Sequence, residues 1–315
     1  MRRAILIAVL IVVLAGSACI RTKTPLSVHE TKTFPTAPGK LVRFDVGSLD
    51  VDVRVAPASA ITAEVEIDAR SSSRGAAHRW VESHSPVFED SSSALEIRQP
   101  SGRTGIVVFG FLNAKARVKL VIPPECRLEV RTSSGDVAVR GDAVLAGPVR
   151  VRASSGDVTV TGGLRELIVK TSSGDVVVRH QALTELEADT TSGDVTLESG
   201  SQRAIVGTSS GDVRLEQLQG GLSVDTSSGE VAASWAALAP GANVRVHTSS
   251  GDVRLRIPEA APLRGHISTR SGSIHSDFSG TGERREHEIS FTAAGDAIEI
   301  DVNTSSGDVN VHKHP

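Results

Sequence analysis

Large aromatic side chains are scarce in this sequence. It has no tyrosine, two tryptophans and seven phenylalanines among 315 residues, whereas glycine occurs 29 times. A core with so few rings has to be filled by Val, Leu, Ile, Ala and Thr. Such a filling suits the narrow interior of a β-solenoid.

A charge excess of either sign is also missing. Against 34 basic residues stand 37 acidic ones, for a net charge of −3. This balance gives no support for nucleic-acid binding. No small-molecule cofactor is predicted, and the partner expected is an envelope or extracellular glycan or a protein.

Cysteine occurs only twice, at positions 19 and 126. If Cys19 is acylated, Cys126 has no partner within the chain, so no disulfide framework is available. Cys126 is interpreted as a small side chain at the entrance of a coil.

The N-terminus has the layout of a bacterial secretory signal. Arg2 and Arg3 precede an apolar run over residues 4–14, and small residues lead to Cys19. We interpret residues 1–18 as a signal peptide of the lipoprotein type, with Cys19 as the acylated residue. Ordinary cleavage after Ala18 and an uncleaved anchor are the alternatives, although the run is shorter than the ~20 residues of a spanning helix. Each version exports the rest of the chain. A lipid or an uncleaved segment would also anchor it to the membrane of the cell envelope, facing the periplasm or the surface.

A hexapeptide recurs along the chain. Thr-Ser-Ser-Gly-Asp-Val occurs five times and four related copies accompany it. From Gly135 to Gly272 the repeat glycines step by 21, 18, 19, 18, 18, 22 and 21 residues. A near-constant period indicates a repeat architecture. The glycine and following acidic positions, all predicted to form turns, are Gly135, Asp136, Gly156, Asp157, Gly174, Asp175, Gly193, Asp194, Gly211, Asp212, Gly229, Glu230, Gly251, Asp252, Gly272, Gly307 and Asp308.

Apolar and polar residues alternate on both sides of each motif, which predicts two short strands meeting at a corner. Glycine at the corner tolerates positive φ, and Ser and Asp can hydrogen-bond the nearby backbone. Gly200, outside the motif, is expected to lie in a tolerant loop. The period leaves no room for a ten-residue helix in each repeat. The sequence therefore predicts an all-β fold, a parallel β-solenoid or β-helix with coils of 18–22 residues.

Four segments are predicted along the chain. Residues 1–18 form the signal peptide, and residues 19–40, which contain three prolines, form a tether and the entry to the domain. Residues 41–126 form N-terminal strands and an irregular cap, and residues 127–315 form the repeat solenoid. One continuous solenoid domain thus covers 41–312. The 35-residue interval between Gly272 and Gly307 indicates an inserted hairpin or an enlarged coil near the C-terminal end.

The succession VKLVIPPECRLEVRTSSGDVAVRG, followed by Ser-Gly-Asp-Val repeats, resembles a bacterial adhesin domain family, a β-strand-repeat domain of unknown function. The resemblance covers about residues 41–312. It implies a solenoid at the cell envelope and brings no catalytic residues with it.

The repeated aspartates are expected to form a column along one edge. Carboxylates about 5 Å apart repel by only about 1 kcal/mol in water, so the column needs no cation. The Gly-Gly-x-Gly-x-Asp pattern of calcium-binding solenoids is absent. We interpret the column as structural, with weak divalent-cation binding and catalysis as alternatives, and we predict no metal and no catalytic site.

Basic residues recur at outward positions and form a candidate binding stripe for an anionic partner. A solvated face is the alternative. Histidines at 247, 266 and 275 could converge on neighbouring coils, and those at 312 and 314 share a face, but solvated surface histidines are the interpretation adopted. Trp235 is expected to fill a widened corner, with an exposed stacking platform for a sugar as the alternative. The members of the basic stripe are Arg131, Arg140, Arg150, Arg152, Lys170 and Arg179.

These observations predict an exported, lipid-anchored and noncatalytic solenoid that acts as an adhesin-like or interaction scaffold at the bacterial envelope. A polysaccharide-acting β-helical lyase or hydrolase is the rival, and it should break the repeat with a cleft of mixed Asp, Arg, Lys and His. An accessory role in an envelope-stress system is a third alternative.

Overall fold

The structure is a computed structural model, and it describes residues 24–71, 73–100, 112–179, 183–198, 200–278 and 284–314. The signal peptide and Cys19 lie outside these ranges. The fold is an all-β solenoid, as the sequence predicted. Two compact units divide the chain at Gly147.

The first unit, residues 1–147, contributes strands to two sheets. In one sheet the order is β1-β4-β7-β3-β9, and in the other it is β8-β2-β6-β5. The elements are β1 (Thr24–Pro35), β2 (Leu41–Val46), β3 (Asp50–Val55), β4 (Ala60–Ser71), α1 (Arg74–His84), β5 (Val87–Asp90), β6 (Ala94–Arg98), β7 (Leu112–Ile122), β8 (Arg127–Thr132) and β9 (Val137–Gly141).

Strands β2 and β3 form the first coil in sequence, yet neither is an edge strand of its sheet. Strand β2 pairs in parallel with β6 on one side and with β8 on the other. Strand β3 likewise lies between β7 and β9. The repeats beginning at β8 therefore build directly on the first coil, within the same compact unit.

Strand β1 replaces the predicted tether from Thr24 onward. It pairs antiparallel with β4 over twelve residues, from Thr24 opposite Ser71 to Pro35 opposite Ala60. Most of its side chains are exposed or half-buried. The backbone ladder therefore holds a segment whose polar composition and prolines had indicated a linker.

Helix α1 lies inside the segment predicted as an irregular cap, and the strand pattern gave no indication of it. The Ser73 hydroxyl caps the helix by accepting the N–H of Ala76 at 3.4 Å. Ala76, Ala77 and Val81 are buried on the helix. This short apolar face packs on the face of the sheet formed by β1, β4 and β7.

The second unit, residues 148–315, carries most of the repeats. One sheet has the order β11-β13-β15-β17-β19-β21-β27-β23, and the other has β10-β12-β14-β16-β18-β20-β26-β22-β25-β24. The strands are β10 (Val149–Arg152), β11 (Val158–Thr161), β12 (Glu166–Lys170), β13 (Val176–Val178), β14 (Leu183–Asp189), β15 (Val195–Leu197), β16 (Ser201–Thr208), β17 (Val213–Leu218), β18 (Gly221–Ser228), β19 (Val231–Trp235), β20 (Asn243–Ser250), β21 (Val253–Pro258), β22 (Leu263–Thr269), β23 (Ile274–Ser276), β24 (Arg284–Arg285), β25 (Glu288–Thr292), β26 (Ile298–Thr304) and β27 (Val309–His314).

Identical apolar positions stack from coil to coil in this unit. Val176 pairs with Val195, Val195 with Val213, and Val213 with Val231, all in parallel register. Each of these side chains is at most 1% exposed. Stacked β-branched residues fill the space between the two sheets without aromatic rings, which explains the composition.

The C-terminal coil is inserted one place in from the end. Strand β26 lies between β20 and β22, and β27 lies between β21 and β23. The predicted hairpin is also present, since β25 pairs antiparallel with β22 and with β24. The hairpin strand β25 covers β22, which would otherwise be an edge strand, whereas β26 and β27 lie between other strands.

Candidate functional site

From Gly174 onward, the repeat corners bring a glycine against the backbone of the neighbouring coil. A Cβ atom built on Gly193 would lie 2.0 Å from the carbonyl oxygen of Gly174, and one on Gly211 would lie 1.9 Å from that of Gly193. Of the repeat glycines, only Gly229 has a positive φ, at +147°. The expectation of positive φ was therefore wrong, because glycine is required by the close stacking of the coils.

Gly200 does not lie in a tolerant loop either. A Cβ atom there would lie 2.6 Å from the carbonyl oxygen of Gln217. Its side-chain position is occupied by the backbone of the next coil, as at the repeat corners.

The aspartates of the corners form a hydrogen-bond ladder. Asp175 Oδ1 accepts the backbone N–H of Asp194 at 2.9 Å, and Asp194 Oδ1 accepts that of Asp212 at 2.8 Å. Asp212 Oδ1 in turn accepts the N–H of Glu230 at 2.8 Å. Each carboxylate thus satisfies a backbone donor that the turn leaves outside the sheet ladder. The Glu230 carboxylate contacts Arg254.

A threonine ladder runs inside the aspartate ladder. Thr190 Oγ1 accepts the N–H of Gly193, and Thr208 Oγ1 accepts that of Gly211, each at 3.0 Å. Both threonines are 7% exposed. The hydroxyl closes the corner from within while the carboxylate closes it from outside.

The corner at Gly229 departs from this pattern. Its N–H donates to the carbonyl oxygen of Ser250 at 3.4 Å, and strand pairing continues to Ser228 opposite Ser250. Within the described part of the chain, the buried hydroxyls of Thr226 and Thr248 have no hydrogen-bond partner. Thus the one corner glycine with positive φ coincides with a threonine that lacks its usual donor.

The basic stripe is divided between sheets and partly neutralised. In the second unit Arg150, Arg152 and Lys170 lie in one sheet, whereas Arg179 follows β13 in the other. Lys170 lies 2.6 Å from Asp189, and Arg179 lies 2.7 Å from Glu198.

The remaining stripe residues differ in their pairing. In the first unit Arg131 is on β8, and Arg140 is on β9, 2.9 Å from Asp52. No ion pair with a described residue involves Arg131, Arg150 or Arg152, so only half of the predicted stripe retains unpaired charge.

The histidines converge in a combination that the sequence did not predict. His275 lies beside His312, with ring centroids 5.7 Å apart, and both contact Asp277. His266 instead lies 3.4 Å from Asp301. The Asp277 carboxylate accepts a hydrogen bond from the backbone N–H of Lys313 and forms another with the His312 ring. Both hydrogen bonds lower the pKa of Asp277.

Two further predicted residues are buried. The Trp235 ring is 1% exposed, and its Nε1–H donates to the carbonyl oxygen of Gly220 at 2.8 Å. It therefore packs in the corner and is not a sugar platform. Cys126 is fully buried, and burial raises the pKa of its thiol.

A groove of about 360 Å³ lies on the outer face of strands β16, β18 and β20. Gly221 stands in register with Arg203 on one side, and Ser223 stands in register with Arg245 on the other, so these two small residues form its floor. The guanidinium groups lie 3.6 Å from Glu185 and 3.7 Å from Asp301, so each keeps donors available to a ligand. Among the described residues, no Asp, Glu or His lines the groove itself, although Glu185 and Asp301 lie beside its two arginines. Gly221 and Ser223 belong to no recognisable sequence motif, so the sequence did not predict this groove.

Within the described ranges, no helix combines the length and the apolar character needed to cross a bilayer. A two-sheet solenoid with stacked Thr, Gly and Asp corners defines a β-repeat protein. The sequence of residues 43–312 matches the Toastrack DUF4097 family, and the chain belongs to this family, a domain of unknown function. The predicted resemblance is thereby confirmed.

Several solved structures are similar in fold to this chain. A "putative lipid binding protein" from Parabacteroides distasonis is 16% identical with a TM-score of 0.53, covering 90% of this chain and 96% of that one. A "putative adhesin" from the same organism is 14% identical, with a TM-score of 0.42 and the same coverage. A "putative adhesin" from Bacteroides fragilis is 9% identical, with a TM-score of 0.43, covering 91% and 97%. At these identities the likeness concerns the fold alone. No protein with a curated description matches the chain.

Proposed function

We propose that this protein is an exported, lipid-anchored and noncatalytic scaffold that binds an anionic glycan at the bacterial cell envelope. The aspartate ladder is the observation that carries the noncatalytic part. Its carboxylates repeat one structural role, the acceptance of a backbone N–H from the next coil. Catalysis by acid and base needs groups in different roles with separated pKa values, and a ladder of equivalent carboxylates does not supply them.

The groove supports the same reading. The described residues of its lining offer two guanidinium groups, the amides of Gln202 and Asn243 and the Ser223 hydroxyl, and they include no carboxylate or imidazole. These groups can recognise carboxylates or sulfates on a sugar chain by charge-assisted hydrogen bonds. They offer no acid and base pair for cleaving a glycosidic bond.

The groove is a better partner site than the flat stripe. Arg203 and Arg245 are 64% and 57% exposed and flank a depression that a sugar ring can enter. Pairing does not separate the two surfaces, because Arg203 and Arg245 have carboxylates within 4 Å, as Lys170 and Arg179 do. The depression between the two groove arginines favours the groove, since ligand sites are usually concave.

Binding of polygalacturonate to the purified chain tests the proposal, with neutral dextran as the comparison glycan. The double variant Arg203→Ala/Arg245→Ala should weaken binding at least about tenfold, because a hydrogen bond to a charged group contributes about 1.5–3 kcal/mol. The matched control Arg150→Ala/Arg152→Ala also removes two outward arginines and should bind nearly as the parent does. Affinity should fall as salt rises, since exposed charges are screened.

Loss of binding in the control alone would assign the partner to the stripe. Release of sugar fragments that depends on a ladder aspartate would overturn the noncatalytic proposal. The export and anchor rest on the signal-like N-terminus and are tested separately through Cys19.

A further inference from the structure

Three metal-ligating side chains lie on one face where β23 meets β27. These strands are parallel, with Ile274 opposite Val309 and Ser276 opposite Val311. The register continues past β23, because the N–H of Asp277 donates to the carbonyl oxygen of Val311 at 3.0 Å. His275 and Asp277 are two residues apart and therefore share a face, and the continued register places Asp277 beside His312.

The distances between these groups match those of ligands around one small cation. His275 Nε2 lies 3.3 Å from Asp277 Oδ1, and His312 Nδ1 lies 3.2 Å from Asp277 Oδ2. One ligand atom from each residue can be chosen so that all three lie within 4.8 Å of one another. Tetrahedral bonds of about 2.0–2.1 Å place neighbouring ligand atoms about 3.3 Å apart.

We propose that His275, Asp277 and His312 bind a divalent transition-metal ion of the zinc type. Two imidazoles and one carboxylate suit Zn²⁺ better than Ca²⁺ or Mg²⁺, which prefer oxygen ligands. Three protein ligands leave a fourth coordination position facing solvent. The side chains of His275 and His312 are 62% and 44% exposed, so an ion reaches the site without movement of the backbone.

Neighbouring groups define the surroundings of the site. The backbone N–H of Lys313 donates to Asp277 Oδ2 at 3.2 Å and orients the carboxylate. The Lys313 ammonium is directed to Glu259, 3.3 Å away. Arg256 stands in register with His312 on the opposite side, on β21. Its positive charge lowers the affinity for a cation but leaves the three ligands accessible.

A second cluster of similar composition does not qualify. His29, Glu64 and Glu66 also have atoms within 4.8 Å of one another. The Lys119 ammonium, however, lies 2.5 Å from Glu66 and 3.9 Å from Glu64. A cation already neutralises that cluster, whereas no lysine or arginine side chain among the described residues pairs with Asp277.

An ion at the proposed site would crosslink the coil of β22 and β23 to the inserted coil of β26 and β27. His275 and Asp277 follow β22 in the end coil, while His312 belongs to the C-terminal strand β27. Crosslinking residues far apart in sequence should stabilise this end of the solenoid, as a ligand that binds only the folded state does.

Titration of the purified full-length chain with Zn²⁺ tests the proposal, with a chromophoric chelator as competitor and Co²⁺ absorption as the reporter of coordination. The expected results are one specific site and a melting temperature that rises with Zn²⁺. His275→Ala, His312→Ala and Asp277→Asn should each weaken binding at least about 10- to 100-fold. His314→Ala and His247→Ala are the matched controls, and both should bind as the parent does.

The metal-free melting temperatures of all variants verify folding. Asp277→Asn keeps the shape of its side chain and provides the readout if a histidine variant folds poorly. Absence of specific binding by the parent chain would overturn the proposal. Binding that survives the ligand substitutions, or that is lost equally in the His314→Ala control, would overturn it as well.

Discussion

Asp252 Oδ1 accepts the backbone N–H of Asp308 at 3.0 Å, although 56 residues separate the two along the chain. Asp308 Oδ1 then accepts the N–H of Ser273 at 2.8 Å. The ladder therefore runs from Asp252 to Asp308 and only then to Ser273, which comes before Asp308 in the sequence. The C-terminal coil thus lies between two coils that precede it along the chain.

This order predicts an unusual response to truncation. A chain ending at Asp296 loses β26 and β27, which separate β20 and β21 from β22 and β23. The segment 263–276 should then lose its parallel partners and become sensitive to protease. A chain ending at Lys313 keeps almost the whole ladder and serves as the control. Continued protection of 263–276 in the shorter chain would show that this segment does not depend on β26 and β27 for its pairing.

Substitution of a corner glycine should destabilise the fold by steric overlap. In Gly211→Ala the new Cβ would meet the Gly193 carbonyl oxygen at 1.9 Å, so the backbones of two coils must separate. We expect a loss of more than about 2 kcal/mol in the free energy of unfolding. Gly147→Ala is the control, because its nearest neighbour is the flexible Arg127 side chain at 3.6 Å. Similar denaturant midpoints for both variants would remove the close-stacking explanation.

The two kinds of corner threonine should respond differently to removal of the hydroxyl. Thr208→Val leaves the N–H of Gly211 without its acceptor and should cost about 1–3 kcal/mol. Thr226→Val removes a buried hydroxyl that has no partner in the described structure, so it should be neutral or stabilising. Thermal unfolding of the pair measures the difference. A larger loss in Thr226→Val would show that this hydroxyl has a partner after all.

Acid should weaken the rung at Asp308. The backbone N–H and the hydroxyl of Ser273 both donate to this carboxylate and lower its pKa. A lowered pKa contributes stability that is present above the unfolded value of about 3.9 and is lost as pH falls through the folded pKa. The advantage of the parent chain over Asp308→Asn, measured as the difference in melting temperature, should therefore shrink as pH falls below about 4. A constant difference across this range would exclude a stabilising role for the ionised carboxylate.

The proposed lipid anchor depends on one thiol. Cys19→Ala should release the protein from the membrane fraction or leave an uncleaved precursor of slower migration, because the acylated residue is gone. Cys126→Ala is the matched control, and it removes the other cysteine of the chain. Unchanged detergent partitioning and mature mass in Cys19→Ala would favour ordinary cleavage or an uncleaved anchor.

The repeating part of this fold was predictable because its information is local. Alternation around Val176 and Val195 predicted strands that face a common interior, and both side chains are fully buried. The period of the corner motif predicted parallel stacking, and the register confirms it. Helix α1 and strand β1 were missed, since Ser73 is a weak local signal and β1 is held by its antiparallel ladder with β4.

The sequence by itself determined the strand pattern, the corner positions and the composition of the core, because each depends on residues within about one coil. Only the tertiary structure decided which coils are neighbours. Any coil with the same apolar spacing can pair with any other, so local pattern does not distinguish the order in sequence from the inserted order of β26 and β27. The meeting of His275 with His312 and the groove between Arg203 and Arg245 follow from that choice of neighbours. Both depend on the register between strands.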